Sequence, residues 1–336
     1  MEITRHFTTI DTHSGGEPLR IVTGGGLPRM KGQTMLERRA YFREFYDDTR
    51  KLLMFEPRGH HGMCGCIVTE AVSPNADFGV LFMDNEGFSD MSGHGIIAVV
   101  TALLETGQLN LPATGEHFLI DTPAGLIKAR AVVKDFEVES VSFENVPSFL
   151  FRADFPISLP DYGEVLVDIA FGGAFYAIVD TNCFGLDVAV TDIPRLQVLQ
   201  TQIIQEVEAN LEVVHPLEPG LKGIYGVVFS ANPMKPSSHL RNVTIFADQQ
   251  IDRSPCGTGT AARLAEFHER GKWPLETVFV HEGIVGSQLT GRILAKTKIG
   301  NYPGVIPEIT GSAFITGFQN YVVDPSDPLK AGFLLR

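Results

Sequence analysis

The stretch Asp252-Arg253-Ser254-Pro255-Cys256-Gly257-Thr258-Gly259-Thr260 decides how this chain is read. A short side chain followed by glycines opens an Ala-rich run, predicted as a helix over Gly259–Glu269, that stops at Gly271. Far upstream, Met91-Ser92-Gly93-His94-Gly95 opens an apolar run, predicted as a helix over Gly95–Glu105, that stops at Gly107. In both, the glycine stop falls 15 residues after the Ser or Cys. The two starts are 164 residues apart, near half of the 336-residue chain. A fainter echo, offset by 157 residues, pairs Ser14-Gly15-Gly16 and Ile21-Val22 with Phe171-Gly172-Gly173 and Ile178-Val179. Self-similarity of this kind reads as two copies of one domain plan.

Between these landmarks, strands dominate. Short β-branched or aromatic runs bounded by Gly, Pro, Asn or Asp recur from Phe7–Thr12 to Phe314–Val323. Helices are fewer, and two more are expected. One spans Thr34–Tyr46, with Asp47 and Asp48 after it. The other spans Ile193–Leu211, with Asp192 as N-cap and Pro194 in its first turn. Many strands with few helices imply an α+β fold. The length implies about two domains, and 44% hydrophobic with 20% charged residues is ordinary for a chain that buries real cores.

The balance of 27 basic against 40 acidic residues, net −13, argues against a nucleic-acid or anionic-membrane partner. A small anionic substrate needs only a local field. The opening MEITRHFTTID has no apolar run, and Gly95 to Leu104 is about half a membrane span, so a cytoplasmic protein is expected. In that setting Cys64, Cys66, Cys183 and Cys256 stay reduced. Cys64-Gly65-Cys66 lacks a second Cys or His pair at metal-site spacing, and residues two apart on a strand share one face, so packing explains it. His60-His61 is a weak metal signal for the same reason. Gly24-Gly25-Gly26 leads into no GxGxxG-to-helix pattern, which excludes dinucleotide binding.

The two glycine-flanked helix starts carry the chemistry. Unpaired N–H groups and the helix dipole form an anion site, and glycines let a ligand approach the main chain. That field favours thiolate, so Cys256 is expected to be more acidic than a free thiol at about 8.5. Two such ends facing one another would hold a carboxylate and present Ser92 and Cys256 to opposite faces of its Cα. Asp252, four residues before Cys256, and His94, two after Ser92, are candidates for a substrate amine.

These residues resemble the proline racemase family, with its diaminopimelate epimerase-like fold. Asp11-Thr12-His13-Ser14-Gly15-Gly16-Glu17-Pro18-Leu19-Arg20 is similar to the family's opening block and Glu56-Pro57-Arg58-Gly59-His60 with Gly62-Met63 to its second. Met91 to Gly95 resembles the first catalytic block and Asp252 to Thr260 the second. The resemblance implies two similar domains, each a strand-rich barrel-like sheet around a central helix, with the active site in the cleft between them. Residues 1–150 with 312–336 would carry Ser92, and 151–311 would carry Cys256. It implies no cofactor and no metal, a proline-like imino acid as substrate, and a homodimer. Backbone N–H groups at Gly93, His94, Gly257 and Thr258 would bind the carboxylate. Phe246 would form an apolar wall, and His60 or His61 would sense a ring hydroxyl.

The family's racemases and epimerases carry cysteine in both catalytic blocks, whereas here the first holds Ser92. A hydroxyl is a much weaker acid than a thiol, which places efficient two-way racemisation in doubt. Members lacking the first cysteine resemble trans-3-hydroxy-L-proline dehydratases. The implied activity is therefore dehydration to Δ1-pyrroline-2-carboxylate. The alternatives are 4-hydroxyproline 2-epimerisation (or weak proline racemisation) and a catalytically weak hydroxyproline-binding or thiol-sensing protein.

Overall fold

A computed structural model describes residues 3–27, 29–111 and 117–335. The chain divides into two compact units, one running to Val141 and resuming at Ser312, the other spanning Ser142–Gly311. The sequence suggests a first boundary near 150; the division instead falls within the strand Glu137–Glu144.

In the first unit, Arg5–Ser14 lies antiparallel to both Ala313–Val323 and Glu17–Gly25. Glu17–Gly25 is parallel to Gly65–Thr69, which is antiparallel to Phe78–Met83. Phe78–Met83 takes the short Phe88–Ser89 antiparallel and Phe118–Thr122 parallel, and the latter turns back into Gly125–Lys134. The second unit repeats every step. Gly163–Phe171 lies antiparallel to both Ser148–Leu159 and Phe175–Asp180. Phe175–Asp180 is parallel to Gly226–Ala231, which is antiparallel to Leu240–Phe246. Leu240–Phe246 takes Gln250–Asp252 antiparallel and Phe279–Glu282 parallel, followed by Gln288–Ile299. Tyr302–Gly311 then pairs with Gln288–Ile299 and with Ser148–Leu159, closing a barrel of eight strands. The echo between Gly15-Gly16 and Gly172-Gly173 is thus the same hairpin turn in two copies.

Five α-helices complete the described residues: α1 (Met35–Phe45), α2 (Asp47–Met54), α3 (Gly93–Glu105), α4 (Ile193–Asn210) and α5 (Gly257–Glu269). Helix α2 is not anticipated by the sequence, which reads Asp47 and Asp48 as the end of α1. They instead fill the first turn of a new helix, where the dipole favours acids, and Asp47 accepts from Arg50 Nε at 2.6 Å. Asp192 stands at the N-cap of α4 but makes no side-chain capping bond there; its carboxylate accepts from the Asp187 N–H at 2.9 Å. Helices α3 and α5 occupy equivalent places, each following the short strand of its unit. Gly93 to Leu103 of α3 and Gly257 to Glu266 of α5 are buried without interruption. Burial on every side explains why α3 is apolar all round. Arg263 and Glu266, buried on α5, offset each other's charge across 2.9 Å.

Candidate active site

Ser92 and Cys256 are the N-caps of α3 and α5. Ser92 Oγ accepts from the Gly95 N–H at 3.2 Å and lies 3.2 Å from His94 Nδ1. Cys256 Sγ accepts from the Gly259 N–H at 3.3 Å. In each helix the cap atom therefore satisfies the amide three residues on, one of the first-turn N–H groups that have no partner inside the helix.

The Cys256 backbone has φ 63° and ψ 106°. A side chain in this region is strained by about 1–3 kcal/mol, and such residues cluster at functional sites. The surroundings fix the conformation. Cys256 N–H donates to Ser254 Oγ at 3.1 Å, and Ser254 donates from both N–H (2.8 Å) and Oγ–H (2.6 Å) to Asp252 Oδ1. The Pro255 carbonyl accepts from Asn242 Nδ2 at 2.9 Å and from Thr260 Oγ1 at 3.3 Å. Asp252 and the thiol thus belong to one hydrogen-bonded turn, and each is only 5% exposed.

Burial, reinforced by the neighbouring Asp252 carboxylate, pushes the Cys256 thiol up to about 12, while the Gly259 amide and the Thr258 hydroxyl pull the other way. The sequence-based expectation of an acidic thiol is corrected here. A helix N-terminus favours thiolate, but removal from water and a nearby negative charge outweigh it.

Tyr176 is a member of this site that sequence reasoning missed. Its hydroxyl is 2.7 Å from Thr258 Oγ1 and 3.9 Å from Cys256 Sγ. Eighty residues separate it from Cys256, and within Phe175-Tyr176-Ala177-Ile178-Val179 it reads as an ordinary core aromatic. Ser254 was also passed over, although two residues after an aspartate is where its carboxylate commonly accepts from a backbone amide. Phe246 is buried and stacks on Tyr225 with centroids 5.4 Å apart. His60 is exposed, its Nδ1 2.9 Å from the His61 carbonyl oxygen, whereas His61 is half-buried.

The match to known proteins extends over the whole chain. The family model described as proline racemase matches residues 9–334. A protein of Bacillus thuringiensis subsp. konkukian named trans-3-hydroxy-L-proline dehydratase is 55% identical over 335 residues, covering all of both chains. A Burkholderia multivorans protein named 3-hydroxyproline 2-epimerase is 44% identical, again with full coverage. Among solved structures, a hydroxyproline epimerase from Agrobacterium vitis with bound trans-4-hydroxy-L-proline superposes with a TM-score of 0.92 at 32% identity, covering 100% of this chain and 97% of that one. With duplicated units, a Ser and a Cys at equivalent helix starts, and a family match from end to end, this chain belongs to the proline racemase family.

Proposed function

We propose that this protein dehydrates trans-3-hydroxy-L-proline, with Cys256 as its base. The observation that carries the reading is the asymmetry of two equivalent helix starts, a buried thiol beside Asp252 on α5 and a hydroxyl on α3. Two relatives more than half identical bear the dehydratase name.

In trans-3-hydroxy-L-proline the Cα hydrogen and the 3-hydroxyl lie on the same ring face, so elimination is syn. The Cys256 thiolate takes the Cα proton. The C–H electron pair becomes the C2=C3 bond as the C3–O bond breaks, and the thiol proton leaves with the hydroxyl as water. The thiolate is regenerated, and the enamine tautomerises to Δ1-pyrroline-2-carboxylate. The amides of Gly93, His94, Gly257 and Thr258 hold the substrate carboxylate. Asp252 and His94 hold the ring amine, Phe246 walls the ring, and the half-buried His61 is preferred to His60 as the residue meeting the hydroxyl. A cationic amine beside Asp252 cancels that carboxylate's push on the thiol, so bound substrate favours the base that attacks it. Ser92 donates weakly, or assists, from the second face.

A second reading, 2-epimerisation, draws on the 44%-identical epimerase and on the epimerase structure with its bound hydroxyproline. It requires Ser92, a weaker acid than a thiol, to deliver a proton to the second face, and it is expected as the minor activity. No helix among the described residues is long and apolar enough to cross a membrane. Cytoplasmic location and a homodimer complete the proposal, the latter open to light scattering.

The test is incubation with trans-3- and trans-4-hydroxy-L-proline in deuterated water followed by NMR. The 3-isomer should lose water to give the pyrroline. Cys256→Ala should lower that rate by a factor of about 10²–10⁴ or more. Undiminished dehydration in this variant would refute the assignment.

A further inference from the structure

Three residues distant in sequence meet in the first unit: Glu17 opening its strand, Cys64 just ahead of Gly65–Thr69, and His94 in the first turn of α3. One ligand atom of each, carboxylate oxygen, sulfur and ring nitrogen, lies within 4.8 Å of the others. All three are buried, at 0%, 7% and 8% exposure. Cys64 Sγ stands 3.5 Å from Glu17 Oε1. Two ligands on a tetrahedral zinc, with bonds of about 2.3 Å to sulfur and 2.0–2.2 Å to oxygen, are themselves about 3.5 Å apart.

We propose that Glu17, Cys64 and His94 form a binding site for a zinc-class divalent ion. The donor set suits such an ion and no harder one. A thiolate and an imidazole select against magnesium and calcium, which take oxygen cages. The charges balance: the Cys64 proton goes to solvent as the sulfur–metal bond forms, and the resulting thiolate and carboxylate neutralise the ion, so the loaded site carries no net buried charge. Three protein donors leave a fourth position open, as in zinc sites that admit an exogenous ligand. A histidine ligand is normally steadied by a partner on its other ring nitrogen, and His94 has Ser92 Oγ at 3.2 Å from Nδ1.

The ion is an inhibitor by its position. On the functional reading above, which this consequence rests on, His94 holds the substrate amine and Ser92 faces the substrate. A metal that takes His94 removes it from that task. Zinc should therefore inhibit, a chelator should restore turnover, and imino acid should weaken zinc binding.

The experiment uses the full-length chain. Cobalt(II) is added as an optical probe and zinc in competition with it. A near-ultraviolet sulfur-to-cobalt charge-transfer band at one ion per chain is expected, bleached by zinc. Cys64→Ser should fold, keep its dehydration activity and lose the band, with zinc affinity down more than about a hundredfold, since loss of even an outer partner of a ligand costs 10–100-fold. Cys256→Ser and Cys183→Ser should keep the band. Should Cys64→Ser be unstable, Glu17→Gln keeps the sulfur donor and should instead lower cobalt and zinc affinity, and unchanged affinity in it overturns the site. Absence of the band, or its survival in Cys64→Ser, overturns the site. Cys64-dependent binding that leaves turnover untouched upholds the site and instead counts against His94 as the amine ligand, so the two readings fail separately.

Discussion

Cys256 is a poor acid in its resting surroundings, and this shapes what kinetics should show. Its thiol is held near 12, well above an ordinary value of about 9. The profile of kcat/KM against pH reports the free enzyme. It should therefore climb steadily between about pH 7 and 9, without the plateau that a thiol of ordinary acidity would produce near its own pKa. The neighbouring hydroxyl gives a second handle. Ser254 joins the Cys256 amide to Asp252, so Ser254→Ala removes one hydrogen bond from each of them. It should cost about 1–3 kcal/mol in kcat/KM, because a buried carboxylate then loses a donor. Stability, read from urea unfolding, should fall in parallel. Ser92→Cys restores a thiol at the equivalent position on α3. It should raise Cα hydrogen exchange and epimerisation relative to water loss, as measured by solvent deuterium incorporation. An unchanged ratio would mean that Ser92 stands aside from proton transfer.

The helix starts were legible in the sequence because their signals are local: a capping side chain, then glycines, then an apolar run, then a glycine stop. Two long strands were not. Ser148–Leu159 contains Pro156, and Tyr302–Gly311 contains Pro303 and Pro307, and proline argues against an interior strand. The register shows how they are tolerated. Pro307 stands opposite Ile293 where the ladder shifts between Ile293 and Ala295, and Pro156 stands opposite Leu166 close to the shift between Val167 and Ile169. A ladder already interrupted at or beside these positions loses less to a missing amide. Tyr176, Glu17 and Cys64 were invisible for a different reason, since each gains its meaning from a residue many tens of positions away. Element packing yields its own prediction. Gly172, in the turn before Phe175–Asp180, lies against the backbone of α5, where a Cβ would collide with the Thr258 carbonyl and the Ala262 amide. Gly172→Ala should destabilise by about 1–3 kcal/mol. It should also lower turnover, because the displaced atoms belong to the first turns of the helix that Cys256 caps.

At the scale of the whole molecule, acid sensitivity has an identifiable source. His281 is fully buried, its Nδ1 is 2.9 Å from Thr260 Oγ1, and burial with the nearby Arg263 charge lowers its pKa to about 3. The native ring stays neutral while the unfolded ring takes a proton below about 6.5. Its contribution is thus complete above 6.5 and is lost as pH falls from there toward 3, at about 1.4 kcal/mol per unit. By pH 5 roughly 2 kcal/mol should be gone, and His281→Gln should flatten the dependence of the urea midpoint by one proton's worth. The cylinder of the second unit carries a further consequence. A ring has no outermost member, so neither of its last-joined strands offers a bare rim on which a foreign chain could zip itself. Its seam runs where Tyr302–Gly311 meets Glu137–Glu144 and Ser148–Leu159, with Gly304 opposite Phe149 and Val305 opposite Ser148. A nascent chain is sticky until that late-made strand buttons both neighbours.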